Sequence, residues 1–315
     1  MHIPDGFLNP QTALAAAVLS AGGVGAALHQ VRAGMPRRKI PLMGLTSAFV
    51  FAAQMLNFPV AAGTSGHLMG GVLAAVLLGP APAVLVMTCV LLLQCLLFAD
   101  GGLLALGANV FNMAVVAPVA GYAVYRGVRR VLTGESGRLA AVAFASWCST
   151  VLAAVCCAGE LASSGTSPWS AVFPAMVNVH VLIGVGEAII NSLVIASLAR
   201  SRPELLENGG PSIRWSGIAV WVFVLVLGVA VFVSPFASPW PDGLQKVASR
   251  LGFAGGAPPY SILAAPIPDY RVSGLASPVT ATILAVGLGT IAAFVFSIFL
   301  ARALVRKPDG KSVST

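Results

Sequence analysis

Residues 81–98 read APAVLVMTCVLLLQCLLF, eighteen positions with no charge and with Thr88 and Gln94 as the only hydroxyl or amide side chains. As an α-helix rising 1.5 Å per residue, this run is about 27 Å long, close to the ~30 Å hydrocarbon thickness of a bilayer. A helix satisfies its own backbone groups and needs no water along its length, so the run reads as a membrane span. The whole chain agrees: 57% of its residues are hydrophobic, 9% are charged and the mean hydropathy is +0.91, which leaves too little polar surface for a water-soluble protein. Comparable segments lie near 10–29, 40–57, 67–79, 102–125, 139–158, 171–199, 215–234 and 278–302. The expected fold is therefore an all-α polytopic membrane protein of about nine transmembrane helices.

The formal net charge of +8 raises the possibility of a nucleic-acid partner, but the positions of the charges point elsewhere. With the N-terminus outside, the cytoplasmic segments hold Arg32, Arg37, Arg38 and Lys39, then Arg126, Arg129, Arg130 and Arg138, then Arg200, Arg202 and Arg214, and finally Arg302, Arg306, Lys307 and Lys311. Only Lys246, Arg250 and Arg271 of the 18 basic residues fall outside. This satisfies the positive-inside rule and predicts an extracytoplasmic N-terminus and a cytoplasmic C-terminus, with no nucleic-acid role. The first Arg, Arg32, follows the first apolar segment, whereas a signal peptide carries its positive charge before it, so the N-terminus is expected to be retained.

Residues 1–200 form a seven-helix block with short connections, and the polar stretch over 201–214, beginning SRPELLENGG, breaks the apolar pattern as a linker does. Residues 215–315 supply two more spans around a long outside loop. Within that loop, PDGLQKVASRLGF (241–253) spaces Leu244, Val247, Leu251 and Phe253 as one face of a short amphipathic helix. The five cysteines, Cys89, Cys95, Cys148, Cys156 and Cys157, have no CxxC spacing and read as small hydrophobes.

The chain begins MHIPDGFL. A free α-amine, the His2 backbone nitrogen and the His2 imidazole close two fused chelate rings on one metal ion and supply three nitrogens in a plane. A fourth ligand must come from elsewhere. Of the remaining histidines His29, His67 and His180, only His67 shares the outside face on this topology. It lies in NFPVAAGTSGHLMGG (57–71), a Pro- and Gly-rich loop before an apolar run from Leu68 to Leu78 that is too short to cross hydrocarbon. Short helices and irregular backbone at membrane depth line sites in transporters. A histidine at such a helix start also feels the positive end of the helix dipole, which keeps a ring nitrogen unprotonated. Four in-plane nitrogens suit tetragonal Ni(II), Co(II) or Cu(II), whereas Zn(II) prefers a tetrahedron and Mg(II) or Ca(II) oxygen ligands.

MHIPDGFL, GTSGHLMGG, FADGGLLALGANVFNMA and HVLIGVGE resemble the CbiM/NikM family, the substrate-capture components of energy-coupling-factor transporters for cobalt and nickel, over about residues 1–200. WPDGLQKVA is similar to the small accessory component of nickel systems, with Gln245 where that component usually has Glu. The resemblance implies a metal held by the Met1 amine, the His2 amide nitrogen and imidazole, and the His67 imidazole. It also implies a transmembrane coupling subunit and two cytoplasmic ATPases as partners, in a prokaryotic cell membrane. Consistent with ATP hydrolysis elsewhere, the tripeptide Gly310–Ser312 lacks the upstream Gly of a P-loop, which is Val305 here. No enzymatic activity and no resident cofactor is expected; the metal is cargo. A binding-only metal sensor and a membrane metalloenzyme are the rival readings, and the latter would have only Asp100 and Glu160 as bases on the outside face.

Other polar residues carry two readings each. Gln54, Asn57, Ser65, Asn109 and Asn112 either orient the ligands or bond helices together. Asp100 either attracts cations or starts a helix. His180 and Glu187, seven apart, share one helix face and suit either a relay or structural pairing. Gly44, Ala48 and Ala52 form a small-residue stripe that lets another helix approach closely, either a neighbour in the bundle or the coupling subunit.

Overall fold

The computed structural model describes residues 1–61, 63–206, 215–257 and 264–305, with backbone alone over 215–219. The second half of the expected linker, Arg306, Lys307 and the Gly310–Ser312 tripeptide lie outside the described residues. Helix α1 (Pro10–Gly34) begins where the Asn9 side chain accepts the Thr12 N–H at 2.8 Å and Pro10 fills the first turn. Helix α2 (Ile40–Met55) follows a short 3-10 turn, and the chain then forms an antiparallel hairpin of β1 (Phe58–Ala61) and β2 (Thr64–Gly66), with Phe58 opposite Gly66 and Pro59 opposite Ser65. Irregular residues 67–70 lead to α3 (Gly71–Leu78), which Gly79 separates from α4 (Pro80–Phe98). Next come α5 (Leu106–Asn109), a π-helical stretch Val110–Val116, α6 (Ala117–Val131), α7 (Gly134–Ser163) and α8 (Trp169–Ser201). The remainder of the chain supplies α9 (Trp215–Val233), the short α10 (Gly243–Leu251) and α11 (Pro278–Leu304).

A helix lies within each of the apolar segments read from the sequence, although residues 67–70 and 102–105 are irregular. Among the described residues, six helical stretches are long and apolar enough to cross a membrane: α1, α4, the continuous Leu106–Val131 unit, α7, α8 and α11. At eight residues, α3 is about 12 Å long and crosses nothing by itself. Leu14, Val18, Leu193 and Phe299 point away from the bundle, where lipid takes the place of water as the neighbour of apolar side chains. The interior has two layers. One, around Ile3, Phe51, Phe98, Met113 and Met176, lies beneath the N-terminal arm, and the other, around Met43, Leu73, Leu85 and Val142, fills the opposite end.

The small-residue stripe of α2 faces α11 and α9. A Cβ on Gly44 would stand 2.6 Å from Ile298 Cγ1 and 3.2 Å from Phe294, both on α11, so this close approach depends on glycine. Ala48 is wholly buried, and Ala52 packs with Ala230 of α9 and Val286 of α11. Of the two uses expected for Gly44, Ala48 and Ala52, the structure shows the intramolecular one; the face is covered by this chain's own C-terminal helices.

Candidate metal centre

The first residues of the chain run inward rather than out into solvent. Ile3 is wholly buried, and Asn109 clamps its peptide unit from both sides: Asn109 Oδ1 accepts the Ile3 N–H at 2.8 Å, and Asn109 Nδ2 donates to the Ile3 carbonyl at 3.1 Å. The same carbonyl accepts the Gly102 N–H at 2.8 Å, and Asp5 Oδ1 accepts the Leu104 N–H at 2.8 Å. These bonds place the Met1 amine against His67, with the amine nitrogen 2.8 Å from His67 Nε2. The His2 and His67 rings stack with their centroids 5.3 Å apart.

Second partners define which ring nitrogen of each histidine is bare. His67 Nδ1 lies 3.1 Å from the Leu68 carbonyl, which only accepts, so Nδ1 carries the hydrogen and Nε2 presents its lone pair to the amine. His2 Nε2 lies 3.1 Å from Gln94 Oε1, also an acceptor, and with the hydrogen on Nε2 the other nitrogen, Nδ1, keeps its lone pair 3.4 Å from the Asp100 carboxylate. Nδ1 is the ring nitrogen that closes a six-membered chelate with the His2 amide nitrogen, while that amide closes a five-membered ring with the Met1 amine. Four nitrogens about 2.0 Å from a central ion at the corners of a square stand about 2.8 Å apart along its edges. The amine-to-His67 separation matches such an edge.

Burial lowers the His2 pKa, and the neighbouring ammonium reinforces the shift against the opposing pull of Asp100. His67 is driven well below the ordinary histidine value by burial first, then by the ammonium and His2. Both imidazoles are thereby neutral at pH 7 and able to donate electron pairs. The shift of His67 owes nothing to a helix dipole, since α3 begins at Gly71 and not at His67 as the sequence suggested.

A third chain segment reaches this centre from α10. Asp242 caps α10, accepting the Gln245 N–H on Oδ1 at 2.8 Å, and its Oδ2 accepts from the Met1 ammonium at 3.0 Å. Burial alone would raise this carboxyl, but the ammonium, His67 and the Gln245 N–H outweigh it and hold Asp242 below the usual carboxylate range. Each residue of PDGL has a contact that accounts for it. The Pro241 carbonyl accepts the Ser65 N–H at 2.9 Å, Gly243 lies where a Cβ would be 2.9 Å from His180 Cε1, and Leu244 is wholly buried. Gln245 completes the capping box by accepting the Asp242 N–H, a role open to Glu as well.

The polar residues singled out from the sequence divide accordingly. Asn109 holds the arm. Gln54 donates to the Met69 carbonyl at 2.7 Å and so steadies the His67 loop. Ser65 bonds the Trp240 carbonyl, and the Asn57 carbonyl accepts the Ser238 N–H, so both attach the C-terminal loop. Asn112 donates to Glu160 at 2.6 Å and binds helix to helix away from the ligands. His180 bonds the Met176 carbonyl of its own helix at 2.8 Å, whereas Glu187 accepts the Met69 and Gly70 N–H groups at 2.6 and 2.8 Å, pinning the His67 loop to α8. Asp100 accepts the Tyr270 hydroxyl and lies 3.4 Å from His2 Nδ1. Gln94, Asp242 and Tyr270 were not read as site residues. Gln94 carried a usable signal as the one amide in an apolar run, and Tyr270 carried none.

The family model for the cobalt uptake substrate-specific transmembrane region, CbiM, matches residues 2–205. The chain belongs to the CbiM family. A PDGLE domain model matches residues 216–306. The fused nickel transport protein NikMN of Rhodobacter capsulatus is 32% identical over 98% of this chain and 99% of its own. The cobalt transport protein CbiM of Geobacter sulfurreducens is 34% identical over 70% of this chain and 67% of its own. A crystal structure described as that of a transition metal transporter superposes with a TM-score of 0.59 at 31% identity, covering 71% of this chain and 99% of that one. The CbiM family is the membrane component of cobalt and nickel transporters, and this member is a multi-pass membrane protein of a prokaryote.

Proposed function

We propose that this chain captures Ni(II) at the extracytoplasmic face and delivers it inward as the substrate-specific component of an energy-coupling-factor transporter. Residues 1–200 are the capture unit, 201–214 the linker and 215–315 an accessory module. The observation that carries this reading is the placement of the two imidazoles: Leu68 and Gln94 each lie against one nitrogen of a histidine, and of the other two nitrogens His67 Nε2 meets the Met1 amine while His2 Nδ1 lies beside the Asp100 carboxylate. Metal ligands are commonly oriented in this way by partners of their second nitrogen. The ligands are the Met1 amine, the His2 amide nitrogen and Nδ1, and His67 Nε2, a donor set suited to a square ion. The chain supplies binding and selectivity. Energy comes from a transmembrane coupling subunit and two cytoplasmic ATPases.

Co(II) is the second reading, supported by the cobalt-named family model and by a donor set that suits both ions. Uptake of radiolabelled nickel by cells that co-express the partner subunits tests the function, with cobalt as competitor. One alanine inserted between Met1 and His2 adds a second amide nitrogen that takes the corner of the square meant for His67, detaching the ion from the His67 loop, and should abolish uptake; omission of the ATPases should do the same. Undiminished uptake by the insertion variant would remove the N-terminal arm from the site. Binding that persists while uptake never depends on the ATPases would favour a sensor.

A further inference from the structure

Helix α10 carries two cations that no carboxylate neutralises. Lys246 and Arg250 lie four residues apart on one face of the helix, and neither has an acidic partner among the described residues. On the topology that the basic loops favour, they are also two of the three basic residues placed across the membrane from all the others. Both line a cavity of about 170 Å³ between α10, α8 and the β1–β2 hairpin. Val60, Leu182 and Val247 give it an apolar wall, and Asn178 adds an amide. A Cβ on Gly63 would stand 3.5 Å from Lys246 Nζ, so the ammonium lies against the hairpin turn. Two cations beside an apolar wall suit an anion that carries hydrocarbon.

The depth of the cavity along α8 narrows the choice of anion. Asn178, Leu182, Val185, Ile189 and Leu193 are all exposed and follow one another at three or four residues, so a single face of α8 turns outward along most of its length. Below Asn178 that face is apolar, and lipid is its neighbour. Arg200, exposed in the last turn, marks the membrane boundary at the other end. Asn178 and Arg200 are separated by about 33 Å of helix, close to the ~30 Å thickness of the hydrocarbon. The cavity therefore stands level with the phosphates of the opposite leaflet, and Leu182 and Val185 lie directly beneath it among the acyl chains.

We propose that this cavity binds the headgroup of an anionic phospholipid from the leaflet on the side of the N-terminal arm. Its phosphate lies between the Lys246 ammonium and the Arg250 guanidinium, and one acyl chain runs along Leu182, Val185 and Ile189. A guanidinium matches phosphate oxygens in a two-pronged bond and an ammonium adds a point charge. A free phosphate would meet the same two charges but would gain nothing from the apolar wall or from the face of α8 below it. The lipid ties α10 to the plane of the bilayer. Asp242 caps that same helix and accepts from the Met1 ammonium, so the bound headgroup steadies the segment that reaches the nitrogen cluster.

Native mass spectrometry on the full chain, delipidated in a neutral detergent and titrated with phosphatidylglycerol or phosphatidylcholine, counts the lipids that stay bound. Phosphatidylglycerol also meets the basic loops of the other membrane face, so the decisive quantity is the difference between variants. Wild type should hold one phosphatidylglycerol more than the double variant Lys246→Gln/Arg250→Gln, and each single change should weaken that lipid on the order of fivefold. Arg271→Gln removes a basic residue that is not in the cavity wall and should match wild type. Arg250 is exposed, so Arg250→Gln alone reads the site even where the double variant is unstable. No nickel enters the measurement, and its outcome is therefore separate from the cargo reading. Equal phosphatidylglycerol counts in wild type and the double variant overturn the proposal, as does equally firm retention of phosphatidylcholine at the same place. Displacement of the additional phosphatidylglycerol by inorganic phosphate also overturns it, because the cavity is then a site for a free anion.

Discussion

His67 is kept neutral by its surroundings, and this has a consequence for the metal-free protein that can be measured. Burial, the ammonium and His2 all push its folded pKa well below the unfolded value of about 6.5. Between those two values the unfolded chain binds a proton that the folded chain refuses. Stability therefore rises with pH across that window and falls as the solution is acidified. The loss attributable to one such histidine reaches at most about 1.4 kcal/mol per pH unit. Thermal unfolding of metal-free wild type and His67→Gln between pH 8 and 5 should show wild type losing ground to the variant as pH falls below about 6.5. A constant difference would mean that His67 titrates normally in the fold. At this scale the sequence disclosed the candidate donors and concealed their orientation. MHIPDGFL and the loop histidine are recognisable as candidate nitrogen ligands because their chemistry is intrinsic to the residue types. Gln94 lies 92 positions from His2 and the Leu68 carbonyl has no side-chain signature, so the groups that choose each tautomer emerge only from the fold.

Among the elements, α8 and the loop before α3 are joined by one carboxylate. Glu187 is buried at 2% exposure and accepts two backbone N–H groups, from Met69 and Gly70, and a third hydrogen from Asn191 at 3.1 Å. His67 is two residues upstream of the first of these. Removing the acceptor in Glu187→Ala strands both N–H groups in a dry interior at about 1–3 kcal/mol each, whereas Glu187→Gln retains one acceptor oxygen. The expected result is a fall in melting temperature and on the order of tenfold or greater loss of nickel affinity in the alanine variant, with partial recovery in the glutamine variant. If the alanine variant binds nickel as tightly as wild type, the loop is held by something other than Glu187. The apolar segments were legible because hydropathy is additive along the chain, and so was the shortness of α3. That His180 and Glu187 share a face follows from helical period alone, but their separate tasks do not. One bonds its own helix and the other a loop more than a hundred residues away, a distinction that only tertiary packing makes.

For the molecule as a whole, the C-terminal helices do two things at once: α11 and α9 cover α2, and the segments between them carry Asp242 and Tyr270 to the candidate metal centre. The first makes the second possible. The α2–α11 contact is tight at Gly44, where a Cβ would meet Ile298 and Phe294. The sequence showed that Gly44, Ala48 and Ala52 invite a helix, and it could not name the helix, because any apolar span meets the same small-residue groove. Gly44→Leu tests the linkage. Its side chain needs space that Ile298 and Phe294 fill, so α11 must move away from α2, and the segment that carries Tyr270 into Pro278 must move with it. The His2–Gln94 and Glu187–loop bonds lie on other elements and are left in place. Equilibrium nickel binding with an unaltered absorption spectrum is therefore expected to survive in Gly44→Leu, while nickel uptake in cells drops several-fold. Gly44→Ala, which adds one methyl against flexible side chains, should fall between the two. Truncation after Glu204 removes the same helices outright and should reproduce the Gly44→Leu phenotype if those helices act by placing Asp242 and Tyr270. Full uptake by the Gly44→Leu protein would show that the module works without seating on α2. Loss of nickel binding in the truncated chain would show instead that the C-terminal segments build the nitrogen site itself.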